Sequence, residues 1–370
     1  MSQKKYVILF FAGFFATLCL VAAFDRAVDP FWYFRDFSIP GFNEVKTKFR
    51  RYERHVKPEI LVREQPEAVI FGSSYAEIGF DPEHLSSVSG GPAYNFALAG
   101  ASWNRVYCDV QFAMRYDRNL RTIILGIHPQ SMPARDCGKA MQAMRHPDML
   151  SFLLSADALK ASLETVFEQG KDRPSHTEQG LYYYTRGKSG TMSRFRQYLS
   201  THAPCIPGKA VKREEAPVML EGLKNIVMEA VRRNMAVKLV VYPRHAMPVE
   251  LDYLCHAREG RWKSLSEIVS MVEAAKDASI QVWDFEGFHD IATEGISDAP
   301  GIYWQDPAHF NYEYGNIMLD EMFGKKEPRY GVRLTSGDIP EREAEESMER
   351  RNYLHDHPEF ERQLIPLLHP

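Results

Sequence analysis

An α/β fold on a three-layer, doubly wound parallel sheet is what this sequence predicts, on three observations. Five short segments, Ala68–Phe71, Ala93–Ala97, Thr122–Gly126, Val237–Tyr242 and Ile280–Phe285, are apolar throughout or nearly so, the pattern of strands covered on both faces. Segments of helical periodicity lie between them, notably VMLEGLKNIVMEAVRRN and KSLSEIVSMVEAAKDA. Strand and helix alternate, as a parallel sheet wrapped by its crossover helices requires. The chain of 370 residues is long enough for one large domain or two smaller ones. Its net charge is −4, with no basic stripe interleaved with aromatics, which argues against nucleic acid as a partner.

The N-terminus reads MSQKKYVILFFAGFFATLCLVAAFD. After Lys4 and Lys5 no charge appears until Asp25, leaving nineteen apolar or small residues, close to the roughly 20 that cross a bilayer as a helix. Lysines at the start are expected to stay cytoplasmic. That orientation makes a single-pass protein of the inner (cytoplasmic) membrane, its globular part on the periplasmic or extracellular side. A cleaved signal peptide is the competing reading, but the apolar run is long for one and no clean A-x-A site follows. Residues 1–25 are therefore read as an anchor, with Cys19 inside it.

Residues 26–66 read as a juxtamembrane connector. Its DPFWYF segment suits the membrane interface, and the basic KTKFRRYERHVKPEILVRE suits a helix lying against the globular domain with a solvated face. Residues 67–325 hold the strands and form the main domain. An insertion of about 130–217 interrupts its rhythm and is expected to lie over the ligand-binding end of the sheet. Tyr182, Tyr183, Tyr184 and Arg186 in that insertion are candidates for a carbohydrate-stacking surface. The tail, 326–370, is strongly charged and is expected to be a solvated helix or partly disordered. Outside the anchor lie Cys108, Cys137, Cys205 and Cys255. An oxidising compartment would allow any of three full pairings among them, and buried free thiols are the alternative. None has zinc-ligand spacing.

Two stretches carry chemistry. EAVIFGSSYAEIGFDP places Gly72, Ser73 and Ser74 directly after the first strand. A serine there is either a nucleophile lifted out of the sheet by a sharp turn or a helix N-cap. GIYWQDPAHFNYEYGN sets Asp306 and His309 on one turn. At that spacing a carboxylate can hold the imidazole tautomer while the other ring nitrogen faces a serine hydroxyl. After a further strand, VVYPRHAMPVE offers Arg244 and His245 as pocket residues, since ligands of doubly wound sheets sit beyond the carboxyl ends of the strands.

FGSSY after the first strand, YNFALAGAS after the second and DPAH after the last together resemble the SGNH (GDSL-like) hydrolase superfamily. The resemblance spans roughly residues 67 to 323. It implies Ser74 as nucleophile, Ser73 in place of the usual Asp, and oxyanion donors at the Ser74 and Gly100 amides. Asp306 and His309 complete the implied catalytic set. The sequence departs from the family where the third strand ends. ILGIHPQS puts His128 where a Gly-x-Asn-Asp asparagine would stand, which disfavours fast hydrolysis. The anchor, GSS for GDS, the aromatic DP connector and GFDP after the serine resemble the membrane-anchored DltD-like branch. They also resemble the SGNH partners of membrane-bound O-acyltransferases that acetylate exported polysaccharides.

What the resemblance implies is a serine O-acyltransferase that moves an acyl group, acetyl first among candidates, onto a cell-surface or exported polysaccharide. Its partners would be an acyl donor, the polysaccharide acceptor and a membrane-bound O-acyltransferase. The mechanism needs no metal and no organic cofactor. The alternatives are a periplasmic carbohydrate esterase of the same fold and a catalytically silent SGNH-like subunit of a membrane acyltransferase complex.

Overall fold

Each apolar run becomes a strand because its neighbours leave it no other way to bury both faces. The computed structural model describes residues 2–145, 149–171, 175–183, 190–202, 205 and 218–368. Its strands are β1 (Ala68–Phe71), β2 (Ala93–Asn95), β3 (Thr122–Ile127), β4 (Ser175–His176), β5 (Tyr182–Tyr183), β6 (Ala236–Val241), β7 (Ile280–Asp284) and β8 (Val332–Leu334). The chain divides into two compact units. The larger comprises Gln65–Cys137, Gln179–Leu181 and Arg186–Pro370; the smaller comprises Met1–Glu64, Gly138–Glu178 and Tyr182–Thr185.

The larger unit is built on a six-stranded sheet of order β2-β1-β3-β6-β7-β8. All pairs are parallel except β7 with β8, which is antiparallel. The chain steps from β1 to β2 on one side and then to β3 on the other. That reversal opens a crevice at the carboxyl ends of β1 and β3, where open α/β sheets bind ligands. The two periodic segments form the helices Glu221–Arg232 and Arg258–Glu273, which pack on each other and on β6 and β7 respectively. Asn95, fully buried at the end of β2, donates to the carbonyls of Ala76 and Phe80 (both 2.9 Å) and accepts the Ala97 amide (3.0 Å). It thereby answers backbone groups of the segment after β1 that would otherwise be orphaned in the core.

The charged tail is ordered: it supplies the edge strand β8 and then the helix Ile339–Asp356, which is exposed over most of its length as a solvated helix requires. On that helix Arg342 and Glu346 are buried; Arg342 donates to the Glu286 carbonyl (2.7 Å) and Glu346 pairs with Arg258. The solvated expectation fails only at these buried residues, whose charges are compensated in the core. Disulfides join Cys108 to Cys137 and Cys205 to Cys255, so the free-thiol reading falls.

The smaller unit begins with the helix Gln3–Val28, whose most apolar window has a mean hydropathy of 2.6 and no buried residue. It is long and apolar enough to span a membrane. The helix ends at Asp29 in a left-handed conformation (φ 46°). The Asp29 carboxylate accepts the amides of Tyr33, Phe34 and Arg35, and buried Lys46 donates to the Val28 carbonyl at 2.8 Å. A cation there satisfies a helix-end carbonyl and meets the negative end of the helix dipole. Of the connector's aromatics, Phe31 and Trp32 are buried in this unit's core and Tyr33 stacks on Phe152 at 4.4 Å, whereas Phe37 is exposed. Its basic run forms the helix Glu53–Glu64, which buries Lys57 with Val56, Ile60 and Leu61 and leaves Arg54, His55, Arg63 and Glu64 on a solvated face.

The insertion is split between the units. Residues 138–178 fall in the smaller one, where the short strands β4 and β5 pair antiparallel. The helix Thr191–His202 falls in the larger one. Tyr198, Leu199 and His202 of this helix line a cavity with His128 and Tyr242, just beyond β3 and β6.

Candidate active site

The strand β1 ends in Gly72 because nothing larger fits. Gly72 has φ +154°, and a Cβ built on it would lie 2.0 Å from Tyr242 Oη. Gly126, at the facing position of β3, would meet the same ring at 2.3 Å. Tyr242 thus lies across the ends of both strands, and its Oη accepts the Ser73 amide (3.1 Å). The chain then turns into the short helix Ser74–Gly79. Ser73 holds the N-cap position, but its side chain makes no capping bond. Ser74 is the first helical residue, and its hydroxyl is directed elsewhere.

That hydroxyl meets His309. Ser74 Oγ lies 2.8 Å from His309 Nε2, and His309 Nδ1 lies 2.8 Å from Asp306 Oδ2. The other carboxylate oxygen, Oδ1, accepts the amides of Ala308 and His309, both at 2.9 Å. Burial opposes charge on Asp306, but the His309 ring and these two amides outweigh it and hold the carboxyl below its ordinary value. The acid is therefore ionised at neutral pH, and Nδ1 is the protonated nitrogen of His309 when the ring is neutral. Nε2 then carries the lone pair that faces the serine.

The turn bearing Asp306 and His309 is fastened on all sides. Gln305 donates to the His309 carbonyl (2.8 Å) and Asn311 to that of Tyr303 (2.7 Å), closing a narrow loop. The Glu294 carboxylate accepts the amides of Ile302, Tyr303 and Trp304 at 2.6–3.1 Å. The His245 amide donates to the Pro307 carbonyl at 3.0 Å. Beyond the loop the helix Tyr312–Met322 begins, with Asn311 at its N-cap position. Gly315 of this helix sits so close to Gly79 that a Cβ would fall 1.6 Å from the Gly79 carbonyl oxygen. A Cβ on Gly79 would in turn strike Phe310 at 2.1 Å. The helix of the serine and the helix after the histidine therefore touch backbone to backbone.

The other expected residues separate into two groups. Gly100 follows β2 at φ +66°, a conformation that favours glycine. Ser74, as the first residue of its helix, has an amide with no acceptor inside the helix. Ser73 and His128 line a small cavity of about 90 Å³ together with Ala101, Ser102 and Trp103. His128 stands just past β3, its ring 5.0 Å from that of Tyr75 and 4.9 Å from that of Tyr242. Burial, then the Arg244 charge, lowers its pKa to about 4, so the ring is neutral at pH 7. A neutral imidazole still carries one N–H to donate.

Arg244 lines a larger cavity of about 430 Å³ with His128, Tyr198, His202 and Asp252. Its guanidinium spans Glu286 (2.7 Å from Nε) and Asp252 (2.8 Å from Nη2). Arg261, also in the wall, pairs with Asp284 (2.7 Å) and Glu286 (2.9 Å). The charged groups of the wall are thus matched, and they lie among apolar residues such as Leu199, Val241 and Leu251.

His245 is not a pocket residue. It is buried, its Nδ1 accepts the Met247 amide (3.2 Å) and its Nε2 donates to the Glu294 carbonyl (2.8 Å). Accepting the Met247 amide needs the neutral ring, and burial lowers its pKa to about 4. Between pH 6.5 and about 4 the unfolded chain binds a proton here that the folded chain refuses. Stability should therefore fall with pH in this window by up to about 1.4 kcal/mol per pH unit. Urea unfolding from pH 7 to 4.5 reads the slope, and His245→Asn should flatten it. An unchanged slope in that variant would assign the dependence to other groups.

Sequence reading missed the tyrosines. Tyr75 stacks on Tyr242 (4.8 Å) and lies against the His309 ring (4.7 Å, 30° between planes). Tyr198, from the insertion's helix, hydrogen-bonds with Tyr75, and burial raises the pKa of both hydroxyls. The position of Tyr75 directly after the serine was the one available signal. Tyr182, by contrast, is buried in the smaller unit beneath Arg50, where it offers no stacking surface. Tyr184, Arg186 and the side chain of Tyr183 lie outside the described residues. No protein-family model matches this chain, and no curated protein is significantly similar to it, so its chemistry is argued from this arrangement alone.

Proposed function

We propose that the protein is a membrane-anchored serine O-acyltransferase of SGNH-like, three-layer fold that moves an acyl group, acetyl first among candidates, onto an exported polysaccharide. The observation that carries this reading is the unbroken line from Ser74 Oγ through His309 to Asp306, with 2.8 Å at each step. Ser74 Oγ attacks the acyl carbonyl of the donor and its proton passes to His309 Nε2, while Asp306 stabilises the imidazolium. Oxyanion charge falls to the Ser74 and Gly100 amides, each donor contributing about 10²–10³ in rate. Collapse breaks the bond to the donor's leaving group, which takes the proton from His309. A sugar hydroxyl then attacks the acyl-serine, giving its proton to His309, and the ester passes to the sugar as Ser74 regains its proton.

The 430 Å³ cavity beside His128 suits the acceptor. Its wall, with paired Arg244, Asp252 and Glu286, offers hydrogen bonds in both directions and little net charge, as a neutral polyol requires. Two disulfides agree with an oxidising, exported location, and the helix Gln3–Val28 with Lys4 and Lys5 before its apolar run agrees with a span of the cytoplasmic membrane. A membrane-bound O-acyltransferase would supply the acyl donor from the other side.

The test is mass spectrometry of the full-length protein in detergent after incubation with p-nitrophenyl acetate. An acetyl adduct is expected on the peptide containing Ser74, absent from Ser74→Ala and discharged faster by an oligosaccharide than by water. Discharge to water alone would make the protein an esterase. No adduct with this donor or with acetyl-charged membranes would leave a non-catalytic subunit.

A further inference from the structure

Outside the anchor, exposed large apolar side chains gather in the smaller unit. Phe167 is 71% exposed, Leu150 63% and Leu163 45%, and Phe37, Ile39 and Leu154 are exposed with them. Leu163 and Phe167 line an apolar hollow of about 450 Å³ on the helix Ala156–Glu168, bordered by Lys160 and Lys171. A soluble surface rarely keeps so much contiguous apolar area without a use.

The anchor helix shows where this face lies. The helices Met149–Leu153 and Ala156–Glu168 pack against Gln3–Val28. On the anchor, withdrawal from solvent begins at Leu18 and continues through Val21, Ala22, Phe24, Asp25, Ala27 and Val28. Leu18 precedes Asp25, the first charge after Lys5, by seven residues, or about 10 Å along the axis. The covering helices therefore reach below the level at which the first charge leaves the bilayer, to the roughly 5–10 Å depth of interfacial helices. Phe37 and Ile39 are held at the same exit: Asn43 donates to the Ala27 and Phe37 carbonyls and accepts the Ile39 amide. The acids beside the hollow do not repel a lipid surface, because Glu164 and Glu168 are paired with Lys48 at 3.2 and 3.0 Å.

We propose that this face is a second membrane contact, resting in the lipid headgroups beside the anchor, with Leu163 and Phe167 inserted and Lys160 and Lys171 toward anionic lipid. The inference rests on reading Gln3–Val28 as a span, and the test keeps the two apart. In a Cys19→Ser background, full-length variants Leu9→Cys, Leu163→Cys and Phe167→Cys are labelled with the fluorophore NBD. They are then placed in nanodiscs of phosphatidylethanolamine and phosphatidylglycerol with and without nitroxide lipid. All three positions are exposed, so the labels displace no core. Leu163 and Phe167 should show blue-shifted emission and loss of fluorescence to shallow nitroxide, as Leu9 does to deep nitroxide. Quenching at Leu9 with emission at Leu163 and Phe167 unshifted and unquenched would overturn the second contact and assign the face to a protein. No quenching at Leu9 would overturn the span, and this proposal with it.

Discussion

Asparagine at position 306 is expected to slow acylation of Ser74 by about 10⁴-fold while leaving the fold intact. The side-chain oxygen of Asp306→Asn can still accept the Ala308 and His309 amides, the two 2.9 Å bonds that shape the turn. Its NH₂ group, however, would face His309 Nδ1 where a carboxylate oxygen now sits at 2.8 Å. Two donors cannot share that contact, so the ring must carry its proton on Nε2. A protonated Nε2 cannot take the proton of Ser74. The acetyl-adduct rate measured by quenched-flow mass spectrometry reads the loss, and an unchanged melting temperature separates it from unfolding. A loss smaller than tenfold would remove His309 from the role of base.

Gly315→Ala is expected to cost both stability and rate. Alanine gains up to about 1 kcal/mol over glycine inside a helix. Here its Cβ would fall 1.6 Å from the Gly79 carbonyl oxygen and 3.3 Å from the Phe80 ring. Backbone cannot rotate away as a side chain can, so the helix Tyr312–Met322 must move off the helix Ser74–Gly79. Overpacking of this kind costs about 1–3 kcal/mol, so the clash wins over the helix propensity. A shift of about 1 Å between nucleophile and base costs on the order of 10² in rate. Adduct formation should fall by that factor and the urea midpoint should drop with it. Full activity in this variant would mean that the serine–histidine distance does not depend on the glycine contact.

How far the sequence carried the reading depended on the range of the interactions involved. The five core strands were legible because each is a run of apolar residues whose burial is a local property. The Ser74–His309–Asp306 arrangement was legible because Asp306 and His309 share one turn and Ser74 follows a strand. The edge strand β8 was not, since VRL is too short and mixed to stand out beside a charged helix. Arg342 and Glu346 read as solvated for the same reason: their partners Glu349 and Arg258 are chosen by tertiary packing. His245 looked like a pocket residue because it follows a strand end, yet one hydrogen bond to Glu294, 49 residues away, turns it inward. Gly79 and Gly315 carried no signal, because their meaning lies in a contact across 236 residues.

Under the proposed transferase reading, the Cys205–Cys255 bond bears on when the protein would become selective. Cys205 follows the helix Thr191–His202, which brings Tyr198 and His202 to the large cavity, and Cys255 follows Ala246–Leu254, which brings Asp252. The two walls are thus clasped by one covalent link. Ser74, Asp306 and His309 lie outside both disulfide loops. A chain whose thiols stay reduced would therefore keep the Ser74–His309–Asp306 line while the walls of the proposed acceptor site were unclasped. If that site is the acceptor's, discrimination among acceptors would arrive only with oxidation.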